Sequence, residues 1–182
     1  AQITLLGYYG FGNAGDEAVL AGVIARLRAA DPLFQITVIS GNPEETAKVH
    51  GVQAIGRSSI TQIRTLLKNT DLFLLGGGGL LQDRTSRRSL WYYLVMMFWA
   101  RISGAQVACY AIGAGPLRHN SSRRLIRRML SNCSAASVRD AGSAHELFRC
   151  CGGEVPTSIE TTADASLAMP AVTEAEKAQA LN

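Results

Sequence analysis

The sequence predicts an α/β domain, a doubly wound and mostly parallel sheet with helices on both faces. Three observations carry this. Short β-branched or apolar runs alternate with helical patterns along most of the chain. Several of those runs are continuously apolar, as expected of parallel strands covered on both faces. Glycines gather in loops that follow such runs. Strand, helix and strand repeated in this order build right-handed βαβ units, a Rossmann-like sheet.

Taken in order, the candidate strands are Ile3–Leu6, Ile36–Ser40, Gln53–Ile55, Leu72–Leu75, Val107–Ile112, Ala135–Val138 and Thr157–Glu160. Between the first two, a helix fits Glu17–Ala30, with Leu20, Val23, Ile24 and Leu27 at the spacing of one buried face. Further helices fit Ser59–Asn69, Ser89–Ser103, Ser122–Ser131 and Ala141–Cys150. The fourth of these places Leu125, Ile126, Met129 and Leu130 on one face and Arg123, Arg124, Arg127 and Arg128 on the other. No repeat or linker interrupts residues 1–169. Residues 1–170 are therefore expected to form the domain. In 171–182 the composition shifts to Ala with Glu174, Glu176 and Lys177, which reads as a linker or helix leading toward a second domain.

At 182 residues the chain can bury one core without disulfides or metals. Its 47% hydrophobic and 18% charged residues exclude a disordered chain. The net charge is +4, and Arg supplies 15 of the 18 basic residues. That excess favours anionic partners such as phosphates but is too small to argue for nucleic acid. Cys109, Cys133, Cys150 and Cys151 form no CxxC pair and have no His at zinc spacing. A reducing, cytoplasmic setting is the simplest reading. The apolar run from Leu90 to Ala100 is too short for a bilayer span, which needs about 20 residues. It reads as a helix buried against the sheet or, given Arg84, Arg87, Arg88 and Arg101 around Trp and Tyr, as a peripheral membrane contact.

Ligands bind open parallel sheets at the carboxyl ends of the strands, and four Gly-rich or polar segments sit at such ends. The first runs from Gly7 to Glu17 and contains Gly10-x-Gly12-x-x-Gly15, nominally a dinucleotide fingerprint. Asp16-Glu17 follows directly and would repel a pyrophosphate, and the second strand ends in Ser40-Gly41-Asn42 where an acid is usual. A nucleotide cofactor is therefore not expected here. Gly12, Asn13 and Gly15 are instead candidates for substrate binding. Asp16 has two readings, a helix N-cap or a group that holds a sugar hydroxyl or acts as a base.

The second segment, Gly76 to Asp83, offers Gly77, Gly78, Gly79, Gln82 and Asp83. Its bare backbone could meet a substrate through N–H groups, or simply allow a tight crossing after the strand. The third contains Gly113 and Gly115, followed by Arg118 and His119, the latter read as a solvated loop residue. In the fourth, Arg139 leaves the end of an apolar strand and should meet a carboxylate, with Asp140 at hand, or an anionic substrate. Arg123, Arg124, Arg127 and Arg128 read as a solvated face or a domain contact.

These segments occur in order: Gly7-Tyr8-Tyr9-Gly10-Phe11-Gly12-Asn13-x-Gly15-Asp16-Glu17, Gly76–Gly79-Leu80-Leu81-Gln82-Asp83, Gly113-x-Gly115-Pro116, Ser137-Val138-Arg139-Asp140 and Ala163-Asp164-Ala165-Ser166. The set resembles the polysaccharide pyruvyl transferase family over essentially the whole chain, in particular its bacterial branch acting on S-layer-anchoring cell-wall polymer.

The resemblance implies transfer of a pyruvyl group from phosphoenolpyruvate to N-acetylmannosamine of a lipid-linked precursor, as a 4,6-linked ketal. It implies a fold similar to two-domain transferases of the GT-B type, of which this chain matches the N-terminal half. Asp16 and Arg139 carry over as catalytic cleft residues, with the glycines, Asn13, Gln82 and Asp83 as the supporting loops. None of His50, His119 or His145 matches the family's catalytic His, so that His and further basic contacts are expected in the partner domain of the same protein. The isolated chain is then expected to be inactive. No cofactor or metal is implied beyond the phosphoenolpyruvate donor, and the expected location is the cytoplasm or the inner face of the membrane. Two rival readings share the architecture: a nucleotide-sugar glycosyltransferase of the GT-B type, and a non-enzymatic glycan- or nucleotide-binding module.

Overall fold

The computed structural model describes residues 1–84, 86–153 and 159–168. Seven strands, β1 (Gln2–Leu6), β2 (Gln35–Ser40), β3 (Gln53–Gly56), β4 (Leu72–Gly76), β5 (Gln106–Ile112), β6 (Ala135–Val138) and β7 (Ile159–Thr161), form one sheet. Its order is β3-β2-β1-β4-β5-β6-β7, and every neighbouring pair is parallel. Of the expected Thr157–Glu160 strand, residues 157 and 158 lie outside the described residues, as does the helix start in 171–182.

The continuous apolar runs are explained by burial on both faces. Along β1, Ile3 and Leu5 enter one core with Val38, Leu74, Leu20 and Val23, while Leu6 enters the other with Ile39, Phe73 and Leu75. The helices are α1 (Ala14–Ala30), α2 (Pro43–His50), α3 (Ile60–Lys68), α4 (Arg87–Ile102), α5 (Asn120–Leu130) and α6 (Ala141–Cys150). The first core packs under α1, and α3 to α6 cover the second with Leu67, Met97, Ile126 and Leu147.

Two departures from the expected elements bear on the site. Helix α2 was not expected, although Asn42 caps its Glu45 N–H, Pro43 occupies its first turn and Gly51 ends it at φ +62°. Those are a start signal and a stop signal. Helix α1 begins three residues earlier than Glu17, because the Asn13 side chain accepts from the Gly15 N–H and caps it. Asp16 is thereby not the N-cap. It stands in the first turn of the helix.

Mid-helix Gly22 weakens α1 by about 1 kcal/mol relative to Ala. A Cβ there would lie 1.9 Å from the Ala165 carbonyl oxygen. The missing side chain lets the 3₁₀ turn Ala165–Ala168 close onto α1, which brings Asp164 to the carboxyl edge of the sheet.

Candidate active site

The loop after β1 is fastened before it reaches Asp16. Tyr9 is fully buried and donates its hydroxyl to the Gly76 carbonyl at the end of β4. Burial, then the nearby Asp16 carboxylate, push its phenol far up, so it remains a donor. Glu17 accepts from the Gly10 N–H at 2.7 Å and meets His50 Nε2 at 3.2 Å. Gly10 lies at φ +77°, and a Cβ on it would come 2.1 Å from Ser40 Oγ.

The loops after β4 and β5 are joined through their backbones. The Gly77 N–H donates to the Tyr110 carbonyl at 2.9 Å, and Gly113 donates to Gly78 at 2.7 Å. Leu81 donates back to Gly113 at 3.3 Å, and Gly115 to Leu81 at 2.8 Å. Strand β5 itself shifts register between Cys109 and Ile112, where Ala111 takes φ +49° and its N–H is bound by Ser137 Oγ at 2.9 Å. Such a bulge re-aims the end of a strand and is common beside active sites.

Asp16 and Arg139 line one depression of about 320 Å³ together with Asn13, Gly15, Gly78 and Gly79. Burial raises the Asp16 carboxyl above the usual range and Glu17 adds to it, while the Arg139 guanidinium pulls it back. Arg139 reaches Asp140 through Nε and Asp164 through a terminal nitrogen, each at 3.4 Å. The expected Asp140 partner is therefore present, but it is also the cap of α6. The Ser143 N–H donates to Asp140 at 2.7 Å, and this bond holds its carboxyl below the usual range. A second depression of about 290 Å³ adjoins the first across Asp16 and Gly79, and adds Tyr8, Gln82, Ser86 and Tyr93. Burial pushes the Tyr93 phenol up to about 12.

The glycines divide by what they face. A Cβ on Gly78, at φ +70°, would lie 2.8 Å from Asp16 Oδ1, and one on Gly113 would lie 3.1 Å from Arg139 Nε. Both bring bare backbone against a side chain that lines the hollow. Gly79 opens onto free space in both depressions. Gly77 instead faces Val19, which an added Cβ would meet at 1.8 Å, Gly115 faces Glu146, which one would meet at 2.6 Å, and Gly12 lines a separate hollow near Thr46. Asp83 is buried away from the opening, where it accepts from the N–H groups of Arg118 at 2.7 Å and His119 at 2.9 Å. Burial works against its charge, but those bonds outweigh it and hold the carboxyl low.

Several residues of this edge were not read as site candidates from the sequence. Asp164 and Ser166 line the Arg139 depression, and Ser86, Ser89 and Tyr93 the adjoining one. Arg57, just past β3, lies with its guanidinium 5.1 Å from the centre of the Phe11 ring and 4.4 Å from that of Tyr92. Asp164 stands in a quoted motif, and Arg57 follows a strand end, which is a signal of the same kind as Arg139.

Seven parallel strands with helices on both faces define a Rossmann-like α/β domain, and an acid and a cation face one hollow at its carboxyl edge. The chain belongs to the polysaccharide pyruvyl transferase family, whose model matches residues 13–180. No curated protein matches it. Among solved structures it is similar to a protein described as a UDP-N-acetylglucosamine 2-epimerase from Listeria monocytogenes, with a TM-score of 0.51 at 12% identity. The match covers 87% of this chain and 43% of that one, so the chain spans under half the length of the solved protein. That likeness concerns the GT-B-like fold alone.

Proposed function

We propose that this chain supplies one wall of the active site of an enzyme that transfers a pyruvyl group from phosphoenolpyruvate to N-acetylmannosamine in a lipid-linked polysaccharide precursor. The observation that carries the reading is the joint placement of Asp16 and Arg139 on one hollow in a member of this family. The net reaction bonds two sugar hydroxyl oxygens, O4 and O6, to C2 of the enol phosphate. The methylene carbon gains a proton, the C–O bond to phosphate breaks, and inorganic phosphate leaves as the cyclic ketal closes.

Asp16 takes the hydroxyl protons. Its raised proton affinity suits it to be a base, and the Gly78 backbone leaves room at Oδ1. Arg139 holds the donor's phosphate or carboxylate in a planar fork and offsets the charge that develops as phosphate departs. The proton for the methylene and further cationic contacts come from a second domain of the same protein. No cofactor or metal enters this scheme, and the enzyme works in the cytoplasm.

The test is phosphate release from phosphoenolpyruvate by the protein, with and without the lipid-linked N-acetylmannosamine acceptor. Acceptor-dependent release supports the reading. Consumption of a nucleotide sugar with no phosphate release would transfer the protein to the glycosyltransferase class.

A further inference from the structure

We infer that the outer face of α3, α4 and α5 is a docking surface for an anionic lipid bilayer. Helix α4 is apolar on all sides, and only part of that surface serves the core. Trp91, Val95, Phe98 and Ile102 are exposed at 43%, 52%, 54% and 65%. At 100° per residue they fall within an arc of about 60°, a single outward stripe along the helix. Large apolar side chains in a contiguous exposed row mark an interaction surface.

Charge identifies the occupant. Helices α3, α4 and α5 lie side by side and together carry nine Lys and Arg residues and no Asp or Glu. All 14 acidic residues lie elsewhere with the other nine cations, so the remainder of the chain is net acidic. Arg87 and Arg88 sit at the start of the stripe and Arg101 near its end, while Arg124, Arg127 and Arg128 are exposed on the neighbouring α5. An apolar row set among cations, with no acid on these three helices, matches a surface that is negative at its headgroups and apolar just beneath. A protein partner would have to be acidic and apolar in the same alternation.

The placement has a functional sense that rests on the lipid-linked acceptor proposed above. Ser89 and Tyr93, in the first turns of α4, line the hollow beside Asp16. A bilayer under the outer face of α4 brings a membrane-held acceptor within reach of that hollow.

The experiment is co-sedimentation of the protein with vesicles of phosphatidylcholine alone and of phosphatidylcholine with phosphatidylglycerol. Three forms are compared: the unaltered protein, a Val95→Ser/Phe98→Ser variant, and an Arg124→Glu/Arg127→Glu/Arg128→Glu variant, each checked by circular dichroism for intact folding. The unaltered protein is expected to pellet with the anionic vesicles only, and to release at about 0.5 M salt, where screening is short-ranged. Each variant is expected to bind about tenfold or more weakly. Equal binding by all three forms overturns the proposal, as does no binding to anionic vesicles at low salt. Self-association abolished by Val95→Ser/Phe98→Ser, with no vesicle binding, overturns it in favour of an interface between copies. Phosphate release from a lipid-free acceptor is measured on the same preparations, so a failure of the transferase reading registers separately.

Discussion

The guanidinium of Arg139 lies 3.4 Å from a carboxylate oxygen of Asp164, across the edge between β6 and the turn that closes on α1. Its side chain is 38% exposed, and ion pairs of that kind contribute little to stability. What the pair supplies is direction. With Asp140 on the other side, the fork is held over the hollow that it shares with Asp16.

Arg139→Lys keeps the charge and loses the planar fork. Phosphate release by the protein should fall by about tenfold or more, with the melting temperature within about 2 °C of the unaltered protein. Assay and thermal melt together check this, and unchanged turnover would remove Arg139 from the anion site.

Asp16→Asn should separate function from stability. The native carboxyl has a raised proton affinity, so its folded form favours the proton more than the unfolded chain does. Relative stability from this group is complete below the ordinary Asp range and is lost as pH rises through the raised value. The variant escapes that loss. It should melt higher than the unaltered protein at pH 7, match it near pH 3, and have little or no turnover.

Asp83 behaves in the opposite sense. Its carboxyl is held low, so its stabilisation is present above the ordinary Asp value and disappears as pH falls through the depressed one. Asp83→Ala leaves the buried bonds to Arg118 and His119 unmade, at a cost of about 2–4 kcal/mol. Urea titration at pH 7 reads that loss. It should shrink in acid.

Gly113→Ala tests a glycine through the residue that it faces. The new methyl would sit 3.1 Å from Arg139 Nε and as near the Gly78 carbonyl oxygen. On the transfer proposed above, kcat/KM should drop several-fold through a raised KM for phosphoenolpyruvate. An unaltered KM would mean that the guanidinium can move aside.

Ala111→Gly should change stability by less than about 1 kcal/mol, because relief of the strain at φ +49° is offset by the loss of a methyl buried in the core. Chemical denaturation measures the difference.

The sheet was legible because burial on both faces writes itself as uninterrupted apolar runs such as Ile36–Ile39 and Leu72–Leu75. The placement of Asp16 and Arg139 at the carboxyl edge was legible because each lies on a segment that follows such a run. Helix α2 was passed over because its eight residues bury little more than Thr46, leaving no apolar stripe to detect. The helix Arg87–Ile102 is apolar all round, and periodicity could not tell its buried side from its exposed one. Asp164 meets Arg139 only through the close approach at Gly22, a contact between residues 25 apart in sequence. The roles of Gly77, Gly78 and Gly79 could not be separated from sequence, since four identical residues in a row carry no sign of which one faces Val19 and which faces Asp16.

The backbone bonds that join the loops after β4 and β5 turn two flexible-looking segments into a gauge. Gly78 abuts the acid and Gly113 abuts the cation, and a single N–H···O bond of 2.7 Å links these two glycines. Main-chain geometry thus fixes the spacing of the two backbone segments against which Asp16 and Arg139 lie. On the transfer proposed above, acceptors that differ elsewhere in the glycan would meet the same backbone spacing.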